Sequence, residues 1–250
     1  VSVDLKGNGI STGISASDRA RTIGLTVLET AKPEDFVTPG HIFPLKAHIK
    51  GVLGRCGHTE ASIDLAKLAG KKPAAVICEI LRDDGELARQ KELKELSLEH
   101  SLYTLTIRDL ITFRMIKEKV LEESFSKTLS TDSHTVNAKF FKSLIDESTY
   151  MSLTKDSVCE QDESFTVFIL EEKKLEEESK DSLFSRALFL FKRAQEENKN
   201  CAFILCQKTD LSGSLYEETK LNGFLLKLLI ELNLHKRDII FETLKKKQSD

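Results

Sequence analysis

The sequence predicts an α/β (α+β) first domain with a mixed sheet, followed by a second, smaller α+β domain. Composition divides the chain: all four prolines (33, 39, 44, 73) and ten of the twelve glycines lie within the first 85 of 250 residues, and the remainder is rich in Lys, Glu, Ser, Leu and Phe. Within the first part, short apolar runs alternate between strand-like and helix-like spacing. Gly permits positive-φ turns and Pro fixes bends, so this part reads as short elements joined by shaped loops, where sites are often carried.

Taken in order, Val1-Ser2-Val3-Asp4-Leu5 alternates like a strand in mid-domain, which suggests an N-terminal truncation. Thr59 to Leu68 is apolar at 61, 63, 65, 66 and 68, an amphipathic helix closing at Gly70. Ala74 to Ile80 reads as a buried strand carrying one acid, Glu79. Glu86 to Glu99 reads as a helix, Ser101 to Ile107 as a strand and Arg108 to Leu121 as a further helix. Beyond residue 122 the expectation is strands at 136–144, 150–155, 164–170 and 201–206, with helices from Asp181 to Asn198 and from Glu217 to Asn233. The Glu/Lys-rich run 171–180 reads as a solvated loop or the start of a helix.

Bulk properties exclude several classes of function. With 37 basic and 40 acidic side chains and a net charge of -3, no global field draws the chain to nucleic acid or to an anionic membrane. An anionic substrate must therefore be held locally. No run reaches the eighteen or so apolar residues of a spanning helix, and no secretory signal is visible. Five cysteines (56, 78, 159, 201, 206) are odd in number, and two lie in apolar runs, which predicts reduced, mostly buried thiols in a cytoplasmic protein.

Arg55, Gly57, His58 and Thr59 fall at a predicted helix N-terminus. Free N–H groups and the helix dipole favour an anion there, and Arg55 adds a forked donor, a plausible phosphate seat. His58 is either a divalent-metal ligand or a capping or packing residue, and spacing does not decide. His41, between Pro39-Gly40 and Phe43-Pro44, is expected on a rigid bent loop, serving as an acid/base group or simply satisfying loop carbonyls. Glu79, in so apolar a run, would have its pKa raised by burial unless paired. Ser11 to Ile23 combines hydroxyls with Asp18-Arg19 ahead of an apolar helix, and Ser17 or Asp18 is expected to cap it.

Read together, these segments resemble the 3,4-dihydroxy-2-butanone 4-phosphate synthase family. The resemblance runs in order through Val1 to Asp4, Ser11 to Ala20, Pro39-Gly40-His41-Ile42-Phe43-Pro44-Leu45, Arg55-Cys56-Gly57-His58-Thr59-Glu60, Asp64 to Gly70 and Cys78-Glu79-Ile80, ending near residue 116. It implies a riboflavin-pathway lyase that converts ribulose 5-phosphate into formate and a four-carbon phosphate, using Mg²⁺ or Mn²⁺ in a homodimer. It further implies His58 as a metal ligand, Arg55, Cys56, Gly57, His58 and Thr59 on the substrate, and His41 and Glu79 as the essential acid/base pair. Glu79 and Thr12 are implied as further substrate contacts. A metal bridging adjacent substrate oxygens would stabilise the enediolate formed by proton removal beside a carbonyl.

In that family an earlier strand and an acidic loop supply a second metal ligand. The expectation is therefore that the biological protein is longer and that these 250 residues alone are inactive.

The domains implied are 1–118, the synthase, and 122–250, faintly similar to the GTP cyclohydrolase II domain often fused behind it. That family holds zinc with three cysteines, two as Cys-x-Cys, leaving one position open. Cys159, Cys201 and Cys206 include no such pair, so the second domain is expected to be degenerate and without cyclohydrolase activity. The alternatives are a bifunctional enzyme that retains cyclohydrolase activity, or a non-catalytic assembly subunit derived from both domains.

Overall fold

The structure, a computed structural model, describes residues 1–7, 9–130, 135–146, 148–155, 164–173, 201–208, 224, 227 and 238–243. The chain divides into two compact units, Val1–Ile107 and Arg108–Asp250.

The first unit opens with β1 (Val3–Leu5), followed by α1 (Ala16–Thr26), β2 (Phe36–Ile42), α2 (His58–Leu68) and α3 (Gln90–Glu99). β1 and β2 pair antiparallel, with Leu5 opposite Phe36 and Asp4 opposite Val37, and then the register jumps so that Val3 faces Ile42. The extra residues of β2, which include the cis Thr38–Pro39 bond, form a bulge that bends the strand back over β1. Gly40 makes this possible, because a Cβ there would stand 2.1 Å from the main-chain carbon of Val3. α1 is fastened to β1 by the buried Thr22, whose hydroxyl accepts the Leu5 N–H at 3.0 Å.

α1 begins two or three residues earlier than its expected caps. Ser15 is the N-cap, with extended backbone and its hydroxyl accepting the Asp18 N–H at 3.1 Å. Asp18 instead turns back onto the preceding loop.

Two expected strands of this unit do not form. Residues 74–80 are exposed and irregular, with Val76 at 69% relative exposure, and 101–106 are likewise exposed and outside any strand. A strand is stabilised by a run of hydrogen bonds to a neighbour, which a short apolar run does not itself provide; among the described residues neither segment belongs to a sheet, although the Ile80 carbonyl accepts the Ala88 N–H at 2.9 Å. The chain instead closes a small turn in which Leu81 bridges Leu87 and Gly85 takes φ +87. Glu86 to Ala88 form its return limb, and so the helix expected from Glu86 begins at Gln90. The expected burial of thiols fails at Cys78 and Cys56, both free and exposed. Cys159 lies outside the described residues.

The second unit contains α4 (Ile107–Lys117, its first residue from the first unit), then β3 (Leu121–Ser130), β4 (Thr135–Ser143), β5 (Thr149–Lys155), β6 (Ser164–Lys173), β7 (Cys201–Lys208) and β8 (Asp238–Thr243). These strands form one mixed six-stranded sheet in the order β3-β4-β5-β7-β6-β8. The pairs β3–β4, β4–β5 and β5–β7 are antiparallel, whereas β6 runs parallel to both β7 and β8. The mixed sheet thus lies in the second unit, and the first carries a two-stranded antiparallel one.

Val136, Ala138 and Phe141 of β4, Tyr150, Met151 and Leu153 of β5, and Leu110, Ile111 and Met115 of α4 are buried. Tyr150 stacks obliquely on Phe224 with ring centroids 5.0 Å apart. The strands expected at 136–144, 150–155, 164–170 and 201–206 are present. β3 escaped the sequence reading because it is an edge strand with Glu122, Glu123, Ser126 and Lys127 exposed, so it carries no apolar alternation. The helix expected to reach Leu121 stops at Lys117. Residues 181–198 lie outside the described residues, as do all but Phe224 and Lys227, both helical, of the helix expected at 217–233. Residues 171–173 close β6, and the rest of the charged run is outside.

Candidate active site

Asp4 and His41 are joined through the bulge of β2. The Asp4 Oδ1 accepts the main-chain N–H of His41 at 2.9 Å, and Oδ2 lies 2.7 Å from the ring Nδ1. The Asp4 side chain is 10% exposed and that of His41 37%. The His41 main-chain N–H holds the Asp4 carboxyl below the usual carboxylate range against partial burial, and the imidazole and Arg19 add to the effect. An ionised carboxylate only accepts, so in the neutral imidazole Nδ1 carries the proton and Nε2 keeps a lone pair for an external proton. His41 therefore sits on a strand rather than on the expected loop, with its tautomer set by a carboxylate.

The Ser11–Gly13 turn covers this pair. Gly13 has φ +79, and a Cβ there would stand 2.3 Å from Asp4 Oδ2 and 2.9 Å from His41 Nδ1. Asp18 holds the turn in place: its Oδ2 accepts the Ser11 hydroxyl at 2.9 Å, the Gly13 N–H at 3.1 Å and the Ser11 N–H at 3.2 Å. The Ser11 hydroxyl first, then the Gly13 and Ser11 amides, lower the Asp18 pKa against its burial. Thr12 is exposed on the tip of this turn, one residue from the Asp4–His41 pair.

The second cluster lies at the start of α2. Gly57 is its N-cap, with φ -112 and ψ 158, and as glycine it offers no side-chain cap to the first-turn amides of His58 and Thr59. Arg55 and His58 are exposed, Cys56 is an exposed free thiol, and Thr59 is half-buried. Beneath them, Glu60 is 1% and Asp64 3% exposed. Glu60 accepts the His48 N–H at 2.9 Å, and Asp64 accepts the Val52 N–H at 2.8 Å, so two acids one turn apart bind the 48–52 segment to the helix. Arg55 Nη1 lies 3.3 Å from both Glu60 oxygens. Burial works against the charge on Glu60, but the His48 amide, its own amide and Arg55 outweigh it and lower its pKa.

The structure therefore places Gly13, the residue after Thr12, against Asp4 and His41, and groups Arg55 to Thr59 on one helix end. Glu79 is exposed, which removes the burial argument made for it, and among the described residues nothing pairs with its carboxylate or links it to His41. Sequence reasoning passed over Asp4 and Glu60. The signal for Asp4 was available in Val3-Asp4-Leu5, an acid within a strand pattern, where an uncompensated charge is costly. As to a divalent metal, among the described residues no group of three or more His, Cys, Asp or Glu side chains converges. The described residues do not by themselves fit a metal centre. Among them, no helix is long and apolar enough to cross a membrane.

Residues 1–113 match the family model described as 3,4-dihydroxy-2-butanone 4-phosphate synthase. The riboflavin biosynthesis protein RibBA of Cytophaga hutchinsonii is 45% identical over 167 residues, 67% of this chain and 41% of that protein. RibBA of Aquifex aeolicus is 56% identical over 124 residues, 50% of this chain and 30% of that protein. The chain spans less than half the length of each of these two curated relatives. The crystal structure of RibBX, a two-domain 3,4-dihydroxy-2-butanone 4-phosphate synthase from A. baumannii, is similar with a TM-score of 0.67 and 30% identity, covering 98% of this chain and 69% of that chain. That likeness runs through both units.

Proposed function

Since the chain belongs to the 3,4-dihydroxy-2-butanone 4-phosphate synthase family, we propose that it serves riboflavin biosynthesis as a lyase converting D-ribulose 5-phosphate into 3,4-dihydroxy-2-butanone 4-phosphate and formate. The observation that carries this reading is the two-point hold of Asp4 on His41 beneath the Ser11–Gly13 turn, which leaves Nε2 as the accepting nitrogen.

In this reading His41 Nε2 takes a proton from carbon beside the substrate carbonyl, and Asp4 stabilises the imidazolium that forms. Arg55 and the first-turn amides of α2 hold the phosphate, with Cys56 and Gly57 shaping the same edge. Thr12, on the turn next to His41, contacts the substrate, and Glu79 is the second acid/base group. We assign Mg²⁺ or Mn²⁺ as cofactor, with His58 the ligand that this chain contributes.

The protein acts as a cytoplasmic homodimer on a soluble small molecule, without nucleic acid or membrane; the free thiols of Cys56 and Cys78 suit a reducing compartment. The functional domains extend over 1–118 and 122–250, the second a degenerate cyclohydrolase fold without turnover of GTP. Intact protein supplied with ribulose 5-phosphate and Mg²⁺ is expected to release formate, read by coupling to formate dehydrogenase. No formate would overturn the assignment, and bound zinc together with GTP turnover would overturn the reading of the second domain.

A further inference from the structure

We propose that Glu60 is a positioning residue for the phosphate grip, holding the guanidinium of Arg55 from inside the protein so that an anion meets a pre-oriented donor. This rests on the reading of Arg55 to Thr59 as the phosphate seat. Glu60 is 1% exposed, and its Oε1 is fixed by the His48 N–H at 2.9 Å. Arg55, by contrast, has a side chain 66% exposed and would otherwise sample many rotamers. Its contact with Glu60 uses Nη1 alone, 3.3 Å from each oxygen, and so the Nε/Nη2 edge is left for a bidentate hold on an anion.

The helix is built around this pair. A Cβ at Gly57 would stand 2.4 Å from Glu60 Oε2 and 3.4 Å from Arg55 Nη1, so the N-cap must be glycine for the carboxylate to reach the arginine. A surface ion pair with both partners in water contributes little to binding or stability. Here the carboxylate is already desolvated and cannot follow the arginine outward. Part of the ordering cost of Arg55 is therefore met before the ligand arrives. A buried negative charge at a phosphate site would repel the ligand if the guanidinium did not stand between them, so the arrangement is useful only with Arg55 in place.

The test titrates inorganic phosphate into the intact protein by calorimetry, alongside steady-state kinetics with ribulose 5-phosphate. Glu60→Gln is expected to weaken phosphate about 10-fold and to raise KM similarly, with a smaller change in kcat. In an Arg55→Ala background Glu60→Gln is expected to add nothing, since it acts through the arginine. Unchanged or tighter phosphate binding in Glu60→Gln overturns the proposal, as does full additivity of the two substitutions. Should thermal melting show Glu60→Gln unfolded, Glu60→Asp, which keeps the charge but retracts it by one methylene, is expected to give the same weakening, and its absence overturns the proposal. If the unaltered protein releases no formate, the assigned reaction fails while the phosphate titration still judges Glu60.

Discussion

Asp4 grips His41 at two points, accepting its main-chain N–H at 2.9 Å and facing its ring Nδ1 at 2.7 Å. One carboxylate thus fixes both where the imidazole sits and which nitrogen it presents. His41→Ala is expected to lower the rate of formate release by about 10²–10⁴-fold, the usual range for a positioned proton-transfer group. Asp4→Asn preserves volume but offers an amide to the ring, and a loss of about 10²-fold is expected with KM little changed. Full activity in Asp4→Asn would show that the tautomer is set elsewhere.

The carboxyl of Asp18 makes folding pH-dependent in a stated direction. Its folded pKa lies below the unfolded value, so its contribution is complete above that unfolded value, about 3.9, and is lost as pH falls through the folded one. Asp18→Asn is therefore expected to melt at a lower temperature than the unaltered protein at pH 7. The gap should narrow as pH falls below the unfolded value of about 3.9. A gap that stays unchanged as pH falls below that value would mean the charge is not what holds the Ser11–Gly13 turn.

Gly13→Ala tests the cover over the pair. The position has φ +79, and the added Cβ would fall 2.3 Å from Asp4 Oδ2. Left-handed backbone and overpacking together are expected to cost about 2–4 kcal/mol, read from denaturant midpoints, with formate release falling as Asp4 is displaced. A neutral substitution would mean that the turn is not seated on the pair in solution.

His58→Ala separates metal binding from the phosphate grip. The Mg²⁺ concentration for half-maximal formate release is expected to rise at least about 10-fold, while inorganic phosphate still binds through Arg55. An unchanged Mg²⁺ dependence would remove His58 from the metal site.

The sequence by itself determined features that depend on near neighbours. The helix expected over Thr59–Leu68 runs from His58 to Leu68, because apolar spacing, a glycine N-cap and Glu60 in the first turn are local properties. β4, β5 and β7 were legible for the same reason, since buried strands carry their own apolar pattern. Tertiary structure decided whatever needs a partner far along the chain. Asp4 and His41 are 37 residues apart and meet only because β2 bulges back over β1. Residues 74–80 are as apolar as a buried strand but join no sheet among the described residues, so the pattern alone did not make one. The burial of Glu60 against the His48 amide turns it toward Arg55, and no periodicity encodes that contact.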